Sequence, residues 1–90
     1  MTRKEEIQLD KAKAEMLVLL GKRIQSLREG LGISQVDLAG KVLGRFDTAN
    51  VYRIESGRTN PTAFKLYRID LALEVSISEL TEIEDVKIDI

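Results

Sequence analysis

With 90 residues, 43% of them hydrophobic and only 4% aromatic, the chain suffices for one small domain whose core must be filled by Leu, Ile and Val. It contains no cysteine and no histidine, which excludes disulfides, thiolate or imidazole metal ligands, and every catalytic arrangement built on Cys or His. The net charge of −1 conceals an asymmetry: residues 17–73 carry nine basic and five acidic side chains, residues 74–90 one basic and six acidic, so a low overall charge does not argue against an anionic partner for the basic middle.

Arg3 to Glu15 is rich in Lys, Glu and Ala, with only Ile7 and Leu9 as large apolar residues. It reads as an extension of helix 1 or as a frayed arm, and its strong helix formers favour the extension. Leu17, Leu20, Ile24, Leu27 and Leu31 follow at steps of three and four, one stripe along a helix, and Gly30 and Gly32 end it. The longest apolar run, Met16 to Leu20, is too short to cross a membrane, and Thr2 to Glu6 does not open a signal peptide. A cytoplasmic protein is expected.

Ser34 can cap a second helix from about Gln35 to Leu43 with Val36, Leu38, Ala39 and Val42 inward, and Gly44 permits a left-handed stop. Asp47 can cap a third, which turns Val51 and Ile54 inward and Ala49, Tyr52, Arg53 and Ser56 the opposite way at 100° per residue; Gly57 closes it. Two short helices joined at a turn, the second with a polar outer side, form a shape that fits the DNA major groove. Asn60-Pro61 forces extended backbone and Thr62 can cap a fourth helix. There Phe64, Leu66, Ile69, Leu71 and Leu73 exceed what one face needs, so burial on more than one side is expected. Ser76 or Ser78 starts a last short turn that packs Val75, Ile77 and Leu80 onto the core.

Val86, Ile88 and Ile90 alternate with Lys87 and Asp89, a period of two that suits a short strand. Such a strand must pair, for instance with the same segment of a second subunit, or the end is disordered. Glu82, Glu84, Asp85 and Asp89 read as solvated charge rather than as a metal or acid-base site, because no second shell supports them. Gly30-Leu31-Gly32 joins two helices and is no phosphate loop. No enzymatic activity, cofactor, metal or small-molecule ligand is expected, the last because no ligand-binding domain follows the helices.

Four segments in order carry a resemblance: Leu-Gly-Lys-Arg-Ile-Gln-Ser-Leu-Arg at 20–28, Leu-Gly-Ile-Ser-Gln-Val-Asp-Leu-Ala at 31–39, Val-Tyr-Arg-Ile-Glu-Ser-Gly-Arg-Thr-Asn-Pro-Thr at 51–62, and Ala-Leu-Glu-Val-Ser-Ile-Ser-Glu-Leu at 72–80. Through them Leu17 to Leu80 resembles the Cro/C1-type, or XRE-family, helix-turn-helix domain of phage and bacterial repressors. The resemblance implies an all-α, compact five-helix, lambda-repressor-like domain over residues 17–81, with residues 1–16 as an N-terminal extension and 82–90 as an acidic tail. It further implies that Gln35 contacts DNA backbone or a base, that Thr48, Ala49, Asn50 and Arg53 reach base edges with Tyr52 on the same rim, and that Arg58 and Asn60 touch phosphates. Arg28 and Glu55 match a buried structural ion pair between helices 1 and 3.

The chain departs from the family pattern in three places. Two extra residues lie between Ala39 and Val51, Asp70 stands where a buried Ala is usual and requires either exposure or a basic partner, and the acidic tail is additional. The expected function is that of a sequence-specific double-stranded DNA-binding regulator, a repressor acting as a homodimer. The alternative is an antitoxin that binds both DNA and a toxin protein.

Overall fold

Each helix begins at a Ser, Thr or Asp whose side chain accepts a hydrogen bond from the amide three residues on: Thr2 from Glu5, Ser34 from Asp37, Asp47 from Asn50, Thr62 from Lys65 and Ser76 from Glu79. The computed structural model describes residues 1–88, and in it these caps open α1 (Arg3–Gly30), α2 (Gln35–Lys41), α3 (Thr48–Glu55), α4 (Ala63–Leu73) and α5 (Ile77–Leu80). Among the described residues there is no strand. Ser34 and Asp37 complete a capping box, since the Asp37 carboxylate accepts from the Ser34 amide at 3.0 Å.

α1 packs against α3 and α5, α2 against α3 and α4, and α4 against α5. Their shared core is Leu20, Ile24, Leu38, Ala39, Val42, Val51, Ile54, Ile69, Leu73 and Leu80. Burial begins at Leu17; no residue of 1–16 is buried. The first half of α1 therefore projects from the body, and the helix's 28 residues account for the long axis of 43 Å at about 1.5 Å each.

Several expectations are corrected. Helix 2 stops at Lys41, and Val36 is 65% exposed because it lies 200° around the helix from Leu38, so one inward face cannot hold both. α4 buries its Leu66, Ile69, Leu73 side, while Phe64, Tyr67 and Leu71 are exposed and uncovered among the described residues. Ile77 is likewise exposed, as is Leu31 beyond the end of α1. Asp70 is neither exposed nor paired: it is buried, and its Oδ1 has no hydrogen-bond partner among the described residues. Of the alternatives left open for the tail, the single chain forms no strand at Val86 and Ile88: residues 82–88 run without regular structure, and Ile90 and Asp89 lie outside the described residues. Glu84 to Lys87 instead line a groove with Ala14, Glu15, Val18 and Leu19 on the outer side of α1.

Candidate nucleic-acid interface

α3 is held at both ends, and what holds it explains which of its residues stay free. At its C-terminal end Gly21 lets α1 pass so closely that a Cβ there would lie 2.4 Å from the Glu55 carbonyl oxygen and 2.6 Å from that of Ile54. No residue but glycine allows that crossing. Beside it, Arg28 donates through Nε to Glu55 Oε2 (2.7 Å) and through Nη2 to Oε1 (2.9 Å), a bidentate pair with both side chains nearly excluded from water. The hydrogen bond to Glu55 raises the Arg28 pKa above its ordinary value, so the cation persists at any working pH. Arg28 Nη1 also donates to the Ile33 carbonyl (2.9 Å). One buried carboxylate thus joins the end of α1, the loop before α2 and the end of α3.

Gln35 joins the same cluster, its Nε2 donating to Glu55 Oε1 at 3.0 Å. One amide donor of this side chain is therefore spent inside the protein, and its carbonyl oxygen and second N–H remain for an outside partner. The family resemblance alone did not reveal that bond.

At the N-terminal end residues 42–47 form the turn between α2 and α3, and Arg68 of α4 holds it. Its Nε donates to the Leu43 carbonyl (2.8 Å), its Nη2 to that of Arg45 (3.2 Å), and its guanidinium lies 5.4 Å from the centre of the Phe46 ring. Gly44 adopts φ +86° directly under the same guanidinium, so a side chain there would be strained and crowded. Arg68 was not among the residues expected to matter. The available signal was the lengthened turn, whose freed carbonyls call for a donor from a neighbouring element.

Between these anchors the outer side of α3 is open. Val51, Ile54 and Glu55 are buried, whereas Ala49, Tyr52, Arg53 and Ser56 are exposed and Thr48 and Asn50 half-buried. Arg53 Nη2 donates to Asn50 Oδ1 at 2.6 Å, which leaves the rest of the guanidinium fork free. Arg58, in the segment after α3, places its guanidinium 5.4 Å from the centre of the Tyr52 ring, and Asn60 is exposed farther along it. The face thus brings together Thr48, Ala49, Asn50, Tyr52, Arg53 and Arg58, with Gln35 inward at one side and Asn60 out on the following loop. None of the acidic residues of α3 or its flanks reaches this face: Asp47 caps the helix and Glu55 is buried.

Residues 24–80 match the helix-turn-helix family of the Cro/C1 type. The chain belongs to that family. This makes it a DNA-binding transcription regulator of the XRE type, with double-stranded DNA as its partner, and the matched unit is regulatory rather than catalytic. No curated protein and no solved structure matches the chain. No helix among the described residues is long and apolar enough to cross a membrane.

Proposed function

We propose that this helix-turn-helix protein is a sequence-specific repressor that acts as a homodimer and inserts α3 into the major groove. The observation that carries the reading is the uncovered outer side of α3, where a largely free Arg53 fork stands among small or polar neighbours. Arg53 is the base-reading residue, since a guanidinium can donate twice to guanine O6 and N7. Thr48 and Ala49 suit thymine methyl groups, and Asn50 fixes the Arg53 fork while offering its own amide donors to a base. Arg58, Tyr52 and Asn60 meet the phosphates on one flank. Gln35 meets them on the other through the amide donor that its bond to Glu55 leaves free.

One eight-residue helix reads too few base pairs for useful specificity, so two copies on half-sites about 34 Å apart are the expected arrangement. Selection of bound duplexes from a random DNA pool tests this. Enrichment of a two-fold symmetric site with that spacing is the expected result; recovery of unrelated sequences contradicts it.

A further inference from the structure

Phe64, Tyr67 and Leu71 on the outer side of α4, together with Leu43 of the turn between α2 and α3, line an apolar groove, and these residues are 68%, 50%, 46% and 69% exposed. Large apolar side chains gathered in one exposed patch on so small a domain mark a contact surface. The charges beside them are of one sign. Lys41 and Arg45 flank Leu43 in the chain, Lys65 and Arg68 lie beside Phe64 and Tyr67, and the only acid of α4, Asp70, is buried. Among the described residues none of these four cations pairs with a carboxylate. Two such grooves set face to face would oppose like charges, which disfavours the groove's own image as its partner.

The complementary surface is the chain's own end. Residues 82–88 interleave Glu82, Glu84 and Asp85 with Ile83, Val86 and Ile88, and they form neither helix nor strand. Where this tail lies against α1, Glu82 meets Arg23 at 3.5 Å, while Glu84 and Asp85 form no ion pair among the described residues in a groove that also contains Glu15 and Lys87. We infer that the α4 groove is the docking site for the acidic tail of a second copy of this chain, its apolar side chains covering Phe64, Tyr67, Leu71 and Leu43 and its carboxylates meeting the basic rim. From the buried Leu80 the eight residues to Ile88 reach roughly 26–29 Å when extended. That exceeds the 22 × 18 Å cross-section of the body. Exchange is reciprocal in a two-fold dimer, so once one tail is seated the second docks within the same complex, and two short contacts suffice. The inference deepens the proposed homodimer and rests on that reading for the use a dimer serves.

The test needs no DNA, so its outcome is separate from that of the DNA-binding proposal. The isotope-labelled full chain is titrated with a synthetic peptide of residues 81–90. Saturable amide shifts at residues 43–45, 64–68 and 71 are expected, at least tenfold weaker binding to Phe64→Ser, and none of a peptide in which Glu82, Glu84 and Asp85 are replaced by Lys. Sedimentation of the full chain is expected to show a concentration-dependent dimer that becomes monomeric in Phe64→Ser and on removal of residues 82–90. Phe64 is largely exposed, so unchanged helical circular dichroism, with a melting temperature equal to that of the parent chain at a concentration where both are monomeric, verifies that the variant folds; Leu71→Ser serves as the second probe. Shifts confined to Ala14, Val18 and Leu19, absence of saturation, a dimer indifferent to both changes, or peptide binding by a strictly monomeric chain would each overturn the inference.

Discussion

Glu55 accepts three hydrogen bonds in a site almost without water, two from Arg28 and one from Gln35. Removing it strands the Arg28 guanidinium, and breaking a buried pair from one side costs about 3–5 kcal/mol. Glu55→Ala is therefore expected to lower the melting temperature by about 4–8 °C for each kcal/mol lost, and Arg28→Ala to act similarly. A double variant much less damaging than the sum of the two would show the coupling; simple additivity would deny it. Asp37 acts at the surface and through pH. Hydrogen bonds from the Ser34 amide and hydroxyl hold its carboxyl below the ordinary aspartate value. A depressed folded value means that its contribution is complete above the unfolded pKa of about 3.9 and is lost as the pH falls through the lower, folded one. Asp37→Asn keeps an acceptor for the Ser34 amide but cannot titrate. Its urea midpoint should thus fall less steeply than that of the parent chain on acidification below about pH 4; parallel curves would mean that the capping box does not contribute.

Helix positions depend on contacts of differing visibility in the sequence. The capping residues Ser34, Asp47 and Thr62 and the inward Val51 and Ile54 were legible, because capping chemistry and the 100° step act within a few residues of the chain, whereas Ser76 was one of two candidates and the Thr2 cap of α1 was missed. Val36 and the outer side of α4 were misread, since an apolar residue announces that it prefers burial but not whether a neighbouring layer exists to bury it. The inward bond of Gln35 and the Arg68 clamp were illegible for a related reason: both join residues 20 or more positions apart, which only tertiary packing brings together. Two variants probe how these contacts fix α3. Gly21→Ala would force its Cβ against the Ile54 and Glu55 carbonyls and should cost about 1–3 kcal/mol in chemical denaturation. Gly30→Ala, with nothing within 4 Å of the added carbon, is the control and should be neutral or stabilising. Arg68→Met removes both carbonyl bonds from the turn, and hydrogen exchange of the amides in residues 43–47 should accelerate with little change elsewhere. Unaltered exchange there would mean that the turn holds its shape without the clamp.

For the molecule as a whole, the even spread of sign implied by a net charge of −1 is misleading. The face that bears Arg53 and Arg58 is basic while the acids concentrate after residue 73. Binding to DNA should accordingly weaken steeply with salt, and Arg58→Ala should reduce the slope of log affinity against log salt by about 1, equally for all sequences. Arg53 differs, because a contact to a base edge distinguishes one sequence from another whereas a phosphate contact does not. The most direct measurement is therefore the ratio of affinities for a selected duplex and a random one, at one salt concentration, in the parent chain and in Arg53→Ala. A fall in that ratio of about 1–3 kcal/mol, roughly 5- to 150-fold, with binding to random DNA weakened far less, is the expected result. A ratio left unchanged by the substitution would contradict the placement of α3 in the major groove with Arg53 as its reader.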